Sequence, residues 1–417
     1  MSNLPKGWEL VQFDKVCDIR DGTHDSPKYI ENGVPFITSK HLTDNGIDFT
    51  ETNYISEENH IEFSKRSKVD NGDILFGMIG TIGKPVIVNT DFEFSIKNVA
   101  LLKLSSNELL SNIYVLNLLK SNIIINQFLK LSNGGVQSFI ALGMIRKLKI
   151  PLPPIEEQKK IADILSTVDK KIAFVEENIN ATEELKKALM QKLLTEGIGH
   201  TEFKDSELGR IPESWEVVEL LKVCEDNKRA IVDGPFGSNL KTIHFREEGI
   251  PVIQSNFVTS GKFNAKEYVY VDEDKFNSEI RSKVIGGDIV MAKIGANCGT
   301  SAIIPLEHPN ALLSGNSIKI SVDQNKASTV FIDFIFKSMY SRNKLVELKS
   351  VGAQPAISMP LLKKMKIVKP LLEEQKQIAE ILSTVDKKIE NLKEKKQSFE
   401  ELKKGLMQKL LTGEVRV

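Results

Sequence analysis

Residues 156–172 read EEQKKIADILSTVDKKI, and 217 residues later, at 373–389, the chain reads EEQKQIAEILSTVDKKI. Only Lys160/Gln377 and Asp163/Glu380 differ between the two stretches. At the same offset LKKALMQKLLT (185–195) returns as LKKGLMQKLLT (402–412). Looser echoes lie upstream: LPKGWELV (4–11) with IPESWEVV (211–218), and GDILFGMIGTIGK (72–84) with GDIVMAKIGANCG (287–299). Gly135-Val136-Gln137 likewise parallels Gly352-Ala353-Gln354. A repeat this long is a tandem duplication rather than a solenoid, whose periods are far shorter.

The locked stretch is written as a helix. Glu156 to Thr195 contains no Pro or Gly, and Pro153-Pro154 stands just outside its start. Ile161, Leu165, Val168, Ile172, Val175, Ile179 and Thr182 alternate spacings of four and three, a heptad seam flanked by charges. The second copy places Ile378, Leu382, Val385, Ile389, Leu392, Lys396 and Phe399 at the same positions. About 40 helical residues at ~1.5 Å each give a rod of about 60 Å. A surface helix packed on its own domain is also amphipathic, but so narrow a seam over this length favours a second helix. The expectation is an antiparallel pair formed by the two copies, with a pseudo-twofold relation between the halves. The variable stretches read as mixed α/β. Runs such as VPFITS (34–39), DILFGMIG (73–80) and VALLKL (99–104) are separated by Gly, Asn and Asp turns, and helices are expected near 107–131 and 329–349.

Composition narrows the function classes. The 417 residues are 41% hydrophobic, enough for real cores, and 56 basic residues balance 56 acidic ones. Residues 1–155 alone carry 16 basic and 17 acidic side chains. A protein that held nucleic acid or membrane by bulk charge would not be neutral. Cys17, Cys224 and Cys298 form no C-x-x-C pair, which excludes a zinc ribbon and a disulfide framework. MSNLPKGWEL has no apolar signal core, and no stretch approaches the ~20 apolar residues of a membrane span. A soluble, cytoplasmic chain is expected.

Catalytic motifs fail on inspection. Gly77-Met-Ile-Gly-Thr-Ile-Gly83-Lys84-Pro85 has one residue too many between its outer glycines for a phosphate loop, and Pro85 where a hydroxyl should bind Mg²⁺. A glycine turn between strands is the better reading. The six histidines show no metal-ligand spacing, and Asp272-Glu-Asp-Lys275 reads as a solvated turn. No catalytic residue, metal or cofactor is expected. Trp8 and Trp215, at equivalent positions, either stack on a base or anchor the core; their apolar neighbours favour the core.

Binding signals are stronger. Polar, glycine-rich loops carry Thr23, His24, Lys28, Ser39, Lys40, Gln137 and Ser138 in the first half. The second half offers Ser238, Asn239, Lys241, Ser255, Asn256, Lys293 and Gln354. These side chains hydrogen-bond base edges and reach phosphates. Any one such loop is an ordinary turn; two diverged sets at corresponding places suggest one scaffold presenting two readers.

These residues resemble the specificity subunits of type I restriction–modification systems over essentially the whole chain. The resemblance rests on PKGWELVQFDKVCDIRDGTHDSP (5–27), DGPFGSNLK (233–241) and both copies of the E-E-Q-K-x-I-A-x-I-L-S-T-V-D-K-K-I helix with its L-M-Q-K-L-L-T sequel. The one departure is Leu371 where the first copy has a second Pro. It implies an α/β chain with two target-recognition domains, at 1–155 and 198–372, separated by helical regions at 156–197 and 373–417 that pair as an antiparallel coiled coil. Each domain would read half of a gapped double-stranded DNA site. The helices, through Ile161, Leu165, Val168, Ile172, Val175, Ile378, Leu382, Val385, Ile389 and Leu392, would pair and carry two methyltransferase (modification) subunits, which restriction subunits join. The subunit itself would perform no catalysis. Two other readings stay open: the specificity subunit of a related system with a fused modification–cleavage partner, and a protein-interaction scaffold.

Overall fold

The computed structural model describes residues 4–44, 46–79, 83–131, 139–235, 237–349 and 355–417. They form two compact units, each discontinuous in sequence: Met1–Glu177 with Leu392–Val417, and Asn178–Asn391.

In the first unit, Val99–Lys103 is buried on both faces for four residues and therefore sits inside a sheet. It pairs antiparallel with Asp18–Asp21 on one side and Ile74–Gly77 on the other, and Pro85–Ile87 closes the order. Gly83, at φ +76, turns the last hairpin and donates its amide to the Gly77 carbonyl at 3.1 Å, so the phosphate-loop look-alike is a turn; residues 80–82 lie outside the described residues. A second sheet orders Asn53–Ile55, Val34–Ile37 and Ser95–Ile96. The second unit repeats the plan with Ile231–Asp233, Ser317–Ile320, Ile289–Ala292 and Ser301–Ile303. Asp272 departs from the solvated turn expected for it. It caps the helix Glu273–Ser278, accepting the Lys275 amide at 2.8 Å, and pairs with Arg246 at 2.8 Å.

The two locked stretches are continuous helices, Ile155–Leu193 and Leu372–Thr412. Within the first unit, Asp169 meets Lys403 at 2.6 Å and Glu176 meets Lys396 at 2.9 Å. Seven residues forward on one helix thus match seven back on the other, which makes the pairing antiparallel. In the second unit Lys186 meets Asp386 at 2.6 Å, the same ion pair made by the other copy of each residue. The seam has two kinds of position. Ile161 and Leu165 are fully buried in a core with Phe13, Tyr114, Leu410 and Leu411. Ile378 and Leu382 do the same with Trp215, Phe331, Leu193 and Leu194. Further along, Val168, Val175 and Ile389 are buried, whereas Ile172, Val385 and Leu392 are half-buried. The start of each helix is therefore domain core as well as helix-pair seam.

The E-E-Q signature has a mechanical meaning in this packing. The indole N–H of Trp8 donates to Glu157 at 3.0 Å, and that of Trp215 donates to Glu374 at 2.9 Å. Both tryptophans are core anchors. The side chain of Gln158 accepts the Ser111 amide and donates to the carbonyls of Leu109 and Pro153. Gln375 accepts the Ser328 amide and donates to the Pro370 carbonyl. Ser111 and Ser328 each cap a domain helix, so one buried glutamine fastens two helix starts together.

Glu157 also receives Arg416, at 2.7 and 3.1 Å, which together with Trp8 holds its carboxyl below the usual carboxylate value. A depressed folded-state pKa gives stability that is present above the unfolded value of about 4.3 and lost as pH falls through the folded one. Arg416→Ala is expected to lower the unfolding midpoint at pH 7, and the difference from wild type should shrink steadily below about pH 4. Urea unfolding across that range measures it.

Candidate functional site

In the first unit three backbone segments converge at one end of the sheet. Gly22 donates to the Val99 carbonyl, Thr23 to that of Ile96, Lys97 to that of Ile37 and Asn98 to that of Thr23. Asn98 adopts φ +52, a left-handed conformation that Asn tolerates better than most residues. The corresponding place in the second unit is built by Gly234 on Ser317, Ser314 on Ile253 and Lys293 on Asn316. Each cluster is keyed by an aspartate followed by a glycine. A Cβ on Gly22 would lie 2.3 Å from the Ile96 carbonyl oxygen, and one on Gly234 would lie 1.9 Å from that of Ser314. Only a glycine lets the strand pass so close.

Both aspartates anchor cations, Asp21 buried and Asp233 half-buried. Asp21 is paired with Arg66 and accepts a hydrogen bond from His24 Nε2 at 3.1 Å. Asp233 takes Lys293 at 2.7 Å and has Arg281 at 3.8 Å. Arg66 and Arg281 came from outside the loops singled out in the sequence. The signal was there: RSKV recurs at 66–69 and 281–284, each time starting six residues before a Gly-Asp-Ile.

The expected contact residues divide by what their side chains already do. His24, Lys28 and Lys40 are exposed, with His24 also 2.6 Å from Asn98. Thr23 and Ser39 are buried, their hydroxyls given to Asp25 and to the Asn98 carbonyl, so they shape the loops from within. In the second unit Asn239, Lys241 and Asn256 are exposed and Ser255 is half-buried. Ser238 lies in the turn Gly237–Asn239, and Lys293 is committed to Asp233. Gln137, Ser138 and Gln354 lie outside the described residues. Among the described residues no group of three or more His, Cys, Asp or Glu could hold a metal ion, and no helix is long and apolar enough to cross a membrane. Burial pushes the thiols of Cys17 and Cys224 up to about 12, far from a nucleophile's range. The arrangement presents polar and cationic side chains on braced loops, twice, with different letters.

Comparison with known proteins agrees with that duplicated plan. The family described as "Type I restriction modification DNA specificity domain" matches residues 5–184 and again 212–401. The MjaVIII type I restriction enzyme specificity subunit of Methanocaldococcus jannaschii is 30% identical over 99% of this chain and 94% of its own length. The EcoKI specificity subunit of Escherichia coli K12 is 21% identical over 93% and 85%. Among solved structures, the type I restriction–modification S subunit from M. genitalium shares the fold, with a TM-score of 0.58 at 16% identity over 99% of this chain and 97% of that one. With two matched copies spanning most of the sequence, the chain belongs to the type I restriction–modification DNA specificity family.

Proposed function

We propose that this chain is the DNA-reading subunit of a type I restriction–modification enzyme and works in the reducing cytoplasm. Each compact unit reads one half of a gapped double-stranded site, residues 1–155 and 198–372 supplying the readers. The paired helices set the gap and carry two methyltransferase subunits, and restriction subunits complete the assembly. Methyl transfer and cleavage belong to those partners; this chain positions them.

One observation carries the reading. Toward both ends of the helices, exposed residues that face no core recur in the two copies, among them Lys159/Lys376, Lys170/Lys387, Lys171/Lys388, Leu185/Leu402, Lys187/Lys404 and Gln191/Gln408, whereas the middle differs, as at Phe174/Asn391 and Glu176/Lys393. Burial does not constrain such positions, and the reader loops of the same two units have diverged. A surface held constant beside a surface set free fits one kind of partner docked twice and two different DNA half-sites.

Affinity for DNA rises with the number of phosphates neutralised, and the first reader's 16 basic and 17 acidic residues leave no surplus. The chain alone is therefore expected to bind its site weakly at ~150 mM salt, and addition of the modification subunit to tighten binding tenfold or more. Fluorescence anisotropy with and without the partner measures this. Failure to retain DNA with the partner present would overturn the reading in favour of a protein-interaction scaffold.

A further inference from the structure

A groove of about 880 Å³ in the first unit lies between the helix Asn122–Leu131 and the end of the second long helix. Its floor is apolar, formed by Leu10, Ile123 and Met407, and its rim is cationic. Lys403 is neutralised by Asp169, and Glu400, the one carboxylate among the described lining residues, stands 3.9 Å from Lys396. The remaining rim lysines, Lys120, Lys130, Lys149 and Lys404, are exposed and make no ion pair among the described residues. Lys120 is held below the usual lysine pKa, first by desolvation and then by neighbouring Lys403. An incoming carboxylate would oppose the second effect.

The other unit does not repeat the charge. Its helix contributes the same Lys186, Lys187 and Met190, but Lys337, matching Lys120, is neutralised by Asp333 at 2.6 Å, and Glu347 stands where Lys130 would be. The cationic rim is thus added by one reader domain to a surface both units share.

We propose that this groove receives an acidic amphipathic segment of the modification subunit, its carboxylates on the lysine rim and its apolar ridge on Leu10, Ile123 and Met407. The proposal rests on the reading above and adds to it a place and a chemistry. A DNA backbone would satisfy the lysines but leave the apolar floor uncovered, and a small anion would do the same.

The test uses the full chain and its modification subunit, titrated by analytical ultracentrifugation at ~150 mM salt. Lys120→Glu/Lys130→Glu/Lys404→Glu is expected to weaken partner binding about tenfold or more and flatten its salt dependence, as reversal of docking charges does. The arginine triple variant should bind like wild type, and Lys222→Glu/Lys266→Glu/Lys364→Glu, an equal charge change on exposed lysines of the second unit, should change little. Wild-type affinity in the glutamate variant would overturn the proposal. Unchanged partner binding with weakened DNA binding would overturn it in favour of a phosphate-backbone site. No partner binding by the wild-type chain would instead defeat the reading of function on which it rests.

Discussion

Gly234→Ala is expected to abolish reading of one half-site while leaving the other intact. The added methyl group would sit 1.9 Å from the Ser314 oxygen and 2.3 Å from its carbonyl carbon, both backbone atoms with no rotamer to yield. The strand Ile231–Asp233 must therefore move off the loop at 314–317, taking Asp233 and the cations it anchors with it. Overpacking of this kind costs about 1–3 kcal/mol of stability, which the unit's large core can absorb. Base reading is less forgiving, since displaced contacts cost about 1–3 kcal/mol each. Methylation rate on duplexes carrying the second half-site should fall at least tenfold. Gly22→Ala, with its Cβ 2.3 Å from the Ile96 oxygen, should do the same to the first half-site. Equal damage to both half-sites by either variant would show that the two clusters are not separate readers.

Lengthening both helices is expected to lengthen the gap in the DNA site without altering either half. Four residues inserted after Ile172 and four after Ile389 leave the Asp169–Lys403 and Lys186–Asp386 pairs in their own units. Four residues turn the helix by about 400°, so the seam returns to nearly the same face. The added ~6 Å, set against ~3.4 Å per base pair, corresponds to about two further base pairs of spacer. Mapping methylated adenines in a strain carrying the insertions gives the new gap directly. An unchanged gap would remove the helices from the role of ruler.

The helices were the most legible part of the molecule, because a seam of period 3.5 leaves little choice of partner and the chain contains that seam twice. The reader sheets were legible as strands but not as clusters, since backbone convergence at Gly22, Ile96 and Ile37 joins residues far apart in sequence. Thr23 and Ser39 looked like contacts from their type alone, yet sheet geometry turns both hydroxyls inward. Arg66 and Arg281 were missed for the opposite reason: they lie some 45 residues after their aspartates, and only the repeated RSKV marks them. Balanced charge, which at first reads against nucleic acid, is better understood once cations are seen held on Asp21 and Asp233. Such placement favours orientation over bulk attraction.

The central claim is that two independent readers share one frame. It is tested most directly by exchanging residues 1–155 for those of another family member and mapping adenine methylation in a host that also carries the partner subunits. One half-site should change, with the second half-site and the gap unchanged. A change in both halves, or methylation at an ungapped site, would contradict the account.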